Sequence, residues 1–169
     1  MLASLLRRST LCTLMLFSGA LLAETLCKSG ETVYFSCKLA HSAKTVSLCG
    51  SSLERPQIFW IQYRFGTSSH LELAYPQNQK QGKVLFLKSG IDVGYYRRSN
   101  GFDTEVSFTN DGWSYTVFSW EGGEAASSYG VFVARKREGP GTTLNCKETP
   151  NFGPNQSFSS FAQIYGQDN

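Results

Sequence analysis

The stretch that most limits how this chain can fold is Thr104 to Trp120, TEVSFTNDGWSYTVFSW. Val106 and Phe108 alternate with Glu105, Ser107 and Thr109. After a turn, Trp113, Tyr115 and Val117 alternate with Ser114 and Thr116. A period of two puts the apolar set on one face of a strand. Asn110-Asp111-Gly112 separates the runs, and Asp-Gly suits a two-residue turn because glycine takes positive φ without steric cost. With Asp111-Gly112 as the turn, Phe108 faces Tyr115 and Val106 faces Val117. With Asn110-Asp111 as the turn, Phe108 faces Trp113 and Val106 faces Tyr115. Both registers keep apolar opposite apolar, since a slip of two residues preserves the face. A lone hairpin is not stable in water, so further strands must cover it.

The chain supplies them. Thr32 to Leu39 and Lys44 to Cys49 form a strand pair around Ala40 to Ala43. Gln57 to Phe65 follows, with apolar residues on both parities at its start (Ile58, Phe59, Trp60, Ile61), which predicts cover on both sides there. Short strands are expected at Leu71 to Tyr75, Lys83 to Lys88, Val93 to Arg98, Tyr129 to Lys136 and Thr142 to Lys147, separated by Gly- and Pro-containing turns. Glu121 to Ser128 is rich in Gly, Ala and Ser and reads as a loop. After Pro150 the pattern changes. Ser157 is placed to cap a short helix carrying Phe158, Phe161 and Ile164 and ending at Gly166, docked on the domain. The expected fold is all-β: an antiparallel barrel or sandwich of about 8–10 strands with a short C-terminal helix.

The start of the chain has a different character. Arg7 and Arg8 precede an apolar run, Leu11 to Leu22, and Ala23 ends it before Glu24. A basic region, a short apolar stretch and a small terminal residue describe a secretory signal peptide, with cleavage expected after Ala23 or, as second choice, Ala20. The run is too short to span a bilayer. The expected layout is a signal peptide at 1–23, a β domain at 24–149 and a docked C-terminal segment at 150–169. Removing Arg7 and Arg8 from a formal charge of +3 leaves +1 on residues 24–169. That argues against a nucleic-acid binder, which needs a concentrated basic face. No later segment is long and apolar enough for a transmembrane anchor.

Cys27, Cys37, Cys49 and Cys146 remain after the leader. In an exported chain they imply two disulfides, and three connectivities are open. The favoured pairing is Cys37–Cys49 within the first hairpin and Cys27–Cys146 joining the ends. The spacing contains no CxxC pair and only His41 and His70 could assist, so zinc is not expected; no phosphate-cradling Gly loop or dinucleotide fingerprint follows a strand, so no other cofactor is expected.

No catalytic constellation is legible. A Ser-His-acid triad would need His41 or His70, and both lie in or beside turns, where solvent-exposed histidine is the ordinary reading. The acids Glu72, Asp92, Asp103 and Glu105 are scattered. Two clusters fit binding. The first is Ser89, Gly90, Tyr95, Tyr96, Arg97 and Arg98, since Tyr and Arg give large contacts with directed hydrogen bonds. Its plain alternative is one core tyrosine and two surface charges. The second is Arg135, Lys136 and Arg137, a basic group near a strand end suited to anionic polymers or simply to solvent. Trp60, Trp113 and Trp120 are read as core, although Trp120 falls on the face opposite Val117, where it is either exposed or covered by the C-terminal segment.

At Phe35 to Ser51 (FSCKLAHSAKTVSLCGS), Gln62 to Gly66 (QYRFG) and Leu71 to Pro76 (LELAYP) the chain resembles a family of small exported proteins of Gram-negative bacteria with no assigned activity. The later EVSFTNDGWSYTV, GVFV and LNC stretches fit the same order. Cys27 and the tail after Pro150 depart from it. The resemblance implies export and a β-rich domain. A fainter likeness is to periplasmic lysozyme inhibitors, which present a Ser-Gly loop and a nearby Tyr. Ser89-Gly90 and Tyr95-Tyr96 approach that motif with different spacing. The functional expectation is a periplasmic or secreted, non-catalytic protein that binds another protein of the envelope or outside the cell, as an inhibitor or immunity protein. The alternative is a small hydrolase of a cell-wall polymer.

Overall fold

A computed structural model describes residues 24–55, 58–78, 90–122, 126–135 and 139–166. The expected leader, the Lys83 to Lys88 strand, Ser89, Lys136 and Arg137 lie outside the described residues.

Two antiparallel sheets face each other. One has four strands in sequence order: β1 (Thr32–Lys38), β2 (Thr45–Gly50), β3 (Ile61–Thr67) and β4 (His70–Tyr75). The other has five, also in order: β5 (Ile91–Arg98), β6 (Gly101–Asn110), β7 (Trp113–Gly122), β8 (Ser128–Ala134) and β9 (Gly141–Asn145). Among the described residues the arrangement is a sandwich, not a closed barrel. Its sheets are joined along one edge, where Leu39 bridges Cys146, Ser36 bridges Asn151 and Ala40 donates to the Asn145 carbonyl at 2.8 Å.

The β6–β7 hairpin takes the first of the two registers. Phe108 pairs with Tyr115 and Val106 with Val117. Asp111 (φ 50°) and Gly112 (φ 77°) both have positive φ, the requirement of a primed turn that matches strand twist. Phe108 then reaches across to the four-stranded sheet, stacking on Tyr75 with centroids 4.4 Å apart and meeting Tyr63 at 4.9 Å.

The C-terminal helix α1 (Ser157–Tyr165) wedges between the sheets, against β1 on one side and β5 and β6 on the other. Phe161 and Tyr165 pack with Tyr34 and Phe59, while Phe158 meets Phe35 and Phe152. Two details of the expected helix change. Ser157 does not cap it: its hydroxyl donates to the Pro154 carbonyl at 2.6 Å, and Gln156 occupies the N-cap without a side-chain bond. Ile164 is 56 % exposed, because the side chains that enter the core are Phe158, Phe161, Ala162 and Tyr165. Gly166 ends the helix in an extended conformation, its N–H donating to the Ala162 carbonyl at 2.7 Å.

The expected disulfides are corrected. Cys27 bonds Cys49, and Cys37 bonds Cys146. The reason is strand parity. Cys37 sits opposite Val46 on the inner face of β1, at the edge where β9 arrives, whereas Cys49 sits opposite Gln62 on the outer face of β2. Cys37 and Cys49 therefore point to opposite sides of one sheet. Two disulfides fit an oxidising compartment, and among the described residues no helix is long and apolar enough to cross a membrane.

β3 also begins later than expected. Ile58, 43 % exposed, lies before the strand, and Phe59 is buried there among the helix aromatics. The two-sided burial of β3 comes instead from polar residues. Gln62 and Arg64 face outward yet are buried, because residues 24–30 strap across that face. Leu26 donates its N–H to Ser47 Oγ at 3.0 Å, Ser36 Oγ donates to the Glu24 carbonyl at 3.0 Å, and Cys27 is bonded to β2.

Candidate recognition surface

The outer face of the five-stranded sheet carries an aromatic and acidic patch. The register of β5, β6 and β7 sets Tyr96, Asp103 and Trp120 side by side in one row, and Gly94, Glu105 and Phe118 in the next. Tyr96 and Trp120 are thus two strands apart, roughly 10 Å by the spacing of paired strands. Trp120 is 42 % exposed, and its ring stacks on the fully buried Phe118 with centroids 4.2 Å apart. Its indole Nε1–H donates to Glu105 Oε1 at 3.0 Å. Tyr96 lies over Gly94, so close that a Cβ there would come within 2.7 Å of the tyrosine ring. Two aromatic side chains therefore flank the Glu105 carboxylate, and each is held in place by the sheet beneath it.

Strand alternation splits the first predicted cluster. Tyr95 turns inward: its ring is 5.7 Å from Phe102, and its hydroxyl accepts from Gln163 Nε2 of α1 at 3.3 Å. It is a packing residue. Tyr96 joins the outer patch. Arg97 is exposed, opposite Phe102. Arg98 pairs with Gly101 at the hairpin end. Gly90, at φ 76°, precedes β5 where an added Cβ would lie 3.2 Å from the Tyr75 hydroxyl.

In the second cluster, Arg135 lies over the ring of Trp113 at 5.4 Å. Trp113 itself is 40 % exposed, a correction to its reading as core: the hairpin tip carries it past the partner sheet. Trp60 is half-buried. Neither Trp120 nor Glu105 stands out as a binding residue in the sequence. The available signal was the parity of Trp120, opposite to that of Val117.

His41 and His70 are both exposed, and among the described residues neither imidazole has a hydrogen-bond or ion-pair partner. Cys27, Glu31 and Cys49 cluster closely, but the two sulfurs are bonded to each other and are not thiolate ligands. A groove of about 970 Å³ lies on the outer face of the four-stranded sheet between the 24–30 strap and the Thr67–Ser69 turn. Its floor is Gln62 and Arg64, and the arginine is already engaged there by Glu31, Gln62 and Leu26.

Comparison with protein-family models, with curated protein sequences and with solved structures finds no match in any of the three.

Proposed function

We propose that this chain is an exported, non-catalytic binding protein that recognises another protein of the cell envelope or of the surroundings, acting as an inhibitor of, or an immunity protein against, an envelope-acting protein. The observation that carries this reading is Trp120, a large aromatic side chain held rigid by Phe118 and Glu105 while two-fifths of its surface faces solvent. The few residues that dominate binding energy at protein interfaces are enriched in tryptophan, tyrosine and arginine, and a side chain ordered beforehand loses less entropy on binding. Tyr96, over Gly94, extends the surface onto β5. The basic–apolar leader in the sequence and the two disulfides support export, and the scaffold they cross-link gives the surface a fixed shape.

The test is capture of a partner from envelope extract on the immobilised, disulfide-bonded protein. The reading predicts one specific partner, retained by Trp113→Ala and lost with Trp120→Ala or Tyr96→Ala. Digestion of purified peptidoglycan by the protein, abolished when one carboxylate is changed to its amide, would replace this reading with that of a cell-wall hydrolase.

A further inference from the structure

We propose that Trp120 and Glu105 form the seat for an arginine side chain of the partner. The inference rests on the binding reading above and names the chemistry at its centre.

The two exposed tryptophans of the five-stranded sheet differ in one respect. Trp113 is covered by the chain's own Arg135, whose guanidinium carbon is 5.4 Å from the ring centroid. Among the described residues, no cation lies over Trp120. Trp120 has a carboxylate at its edge instead: Glu105 Oε1 accepts the indole N–H, and Oε2 has no donor among the described residues. Arg97, the described cation next to Tyr96 in sequence, falls on the opposite face of β5.

An aromatic face beside a carboxylate oxygen to which no described residue donates matches a guanidinium closely. The planar cation stacks on the indole while its N–H groups donate to the carboxylate. Lysine has the charge without the flat stacking surface, so arginine is the better occupant. Tyr96, over Gly94 on the other side of Glu105, bounds the seat, and the buried carboxyl of Asp103 lies in register between the two aromatic side chains. The geometry at Trp113 shows that this fold already places an arginine over an exposed tryptophan.

The probe is N-acetylarginine N-methylamide, titrated into ¹⁵N-labelled, oxidised protein while the indole N–H signals are followed. Trp120→Phe assigns the signal, and the corresponding citrulline compound supplies the same shape without charge. The expected result is a saturable shift of the Trp120 indole with arginine and a much smaller one with citrulline. The Trp113 signal stays in place, since Arg135 covers it. Glu105→Gln, which keeps the shape and an acceptor oxygen, should weaken arginine binding on the order of tenfold. Equal shifts with arginine and citrulline, no shift at Trp120, or a larger Trp120 response to a chito-oligosaccharide would overturn the proposal. If a partner is captured through Trp120 but arginine leaves the signal unmoved, the arginine seat falls and the binding reading stands. If arginine binds but no partner is captured, the reverse holds.

Discussion

The guanidinium of Arg64 is gripped by the carboxylate of Glu31 across 33 positions of sequence: Nη2 donates to Oε1 at 2.8 Å and Nη1 to Oε2. The Arg64 side chain is 3 % exposed and that of Glu31 11 %. Gln62 Oε1 and the Leu26 carbonyl accept two further N–H groups, at 2.8 and 2.9 Å. The pair fastens the 24–30 strap to the centre of the four-stranded sheet. Removing one partner leaves a buried charge without its counter-ion, so Arg64→Ala should cost about 3–5 kcal/mol in urea unfolding. Replacing both members with apolar residues, Arg64→Met with Glu31→Leu, should recover much of that loss.

The same pair sets an acid limit on stability. Burial raises the Glu31 pKa, but the hydrogen bonds from Arg64 and the Lys28 amide, with the positive charges of Arg64 and Lys28, outweigh it and hold the carboxyl below its usual range. A carboxyl depressed in the folded state contributes stability that is present above its unfolded pKa and lost as pH falls through the folded one. Wild-type Tm should therefore fall as pH drops below the ordinary glutamate value of about 4.3, and Glu31→Gln should flatten that part of the profile. An unchanged acid limb in Glu31→Gln would contradict the assignment.

The two disulfides should contribute unequally. Cys37–Cys146 closes a separation of 109 residues and Cys27–Cys49 one of 22. Loop-closure entropy assigns them about 5 and about 3 kcal/mol. The Cys37→Ser, Cys146→Ser variant should lose more Tm than Cys27→Ser, Cys49→Ser, and non-reducing peptide mapping should recover these two bridges and no Cys37–Cys49 bridge.

Much of this fold is legible in local pattern. The alternation from Val106 to Val117 suffices for the central hairpin and its two faces, but it leaves two registers open, and the positive φ of Asp111 and Gly112 marks the one that forms. What local pattern leaves open is what covers the outer faces. Ser47, Gln62 and Arg64 have the parity of solvent-facing residues and are buried, since a strap from far along the sequence lies over them. The cysteine pairing depends on strand parity, which sets Cys37 and Cys49 on opposite faces of one sheet, and on which strand edge β9 meets. Trp113 has core parity and is exposed, because the hairpin is longer than the sheet it packs against. Tyr95 and Tyr96 are adjacent in sequence and part ways across the sheet, so a cluster read linearly becomes one packing residue and one surface residue.

The C-terminal helix belongs to the core. Phe161 is fully buried, with centroids 5.4 Å from Tyr34 and 5.8 Å from Phe59, whereas Ile164 on the same helix is 56 % exposed. Phe161→Ala should cost about 3–5 kcal/mol, and Ile164→Ala within about 0.5 kcal/mol of nothing. Comparable losses from both, in denaturant melts, would contradict the placement of α1 between the sheets.

The central claim is that the fixed tryptophan on the five-stranded sheet is the point of recognition. The most direct measurement is the Kd of the captured partner for wild type, Trp120→Ala and Trp113→Ala, each shown to have the wild-type Tm. The account predicts weakening of about thirtyfold or more for Trp120→Ala, the scale of an interface hot spot, and less than about threefold for Trp113→Ala. Equal affinities for wild type and Trp120→Ala would contradict it.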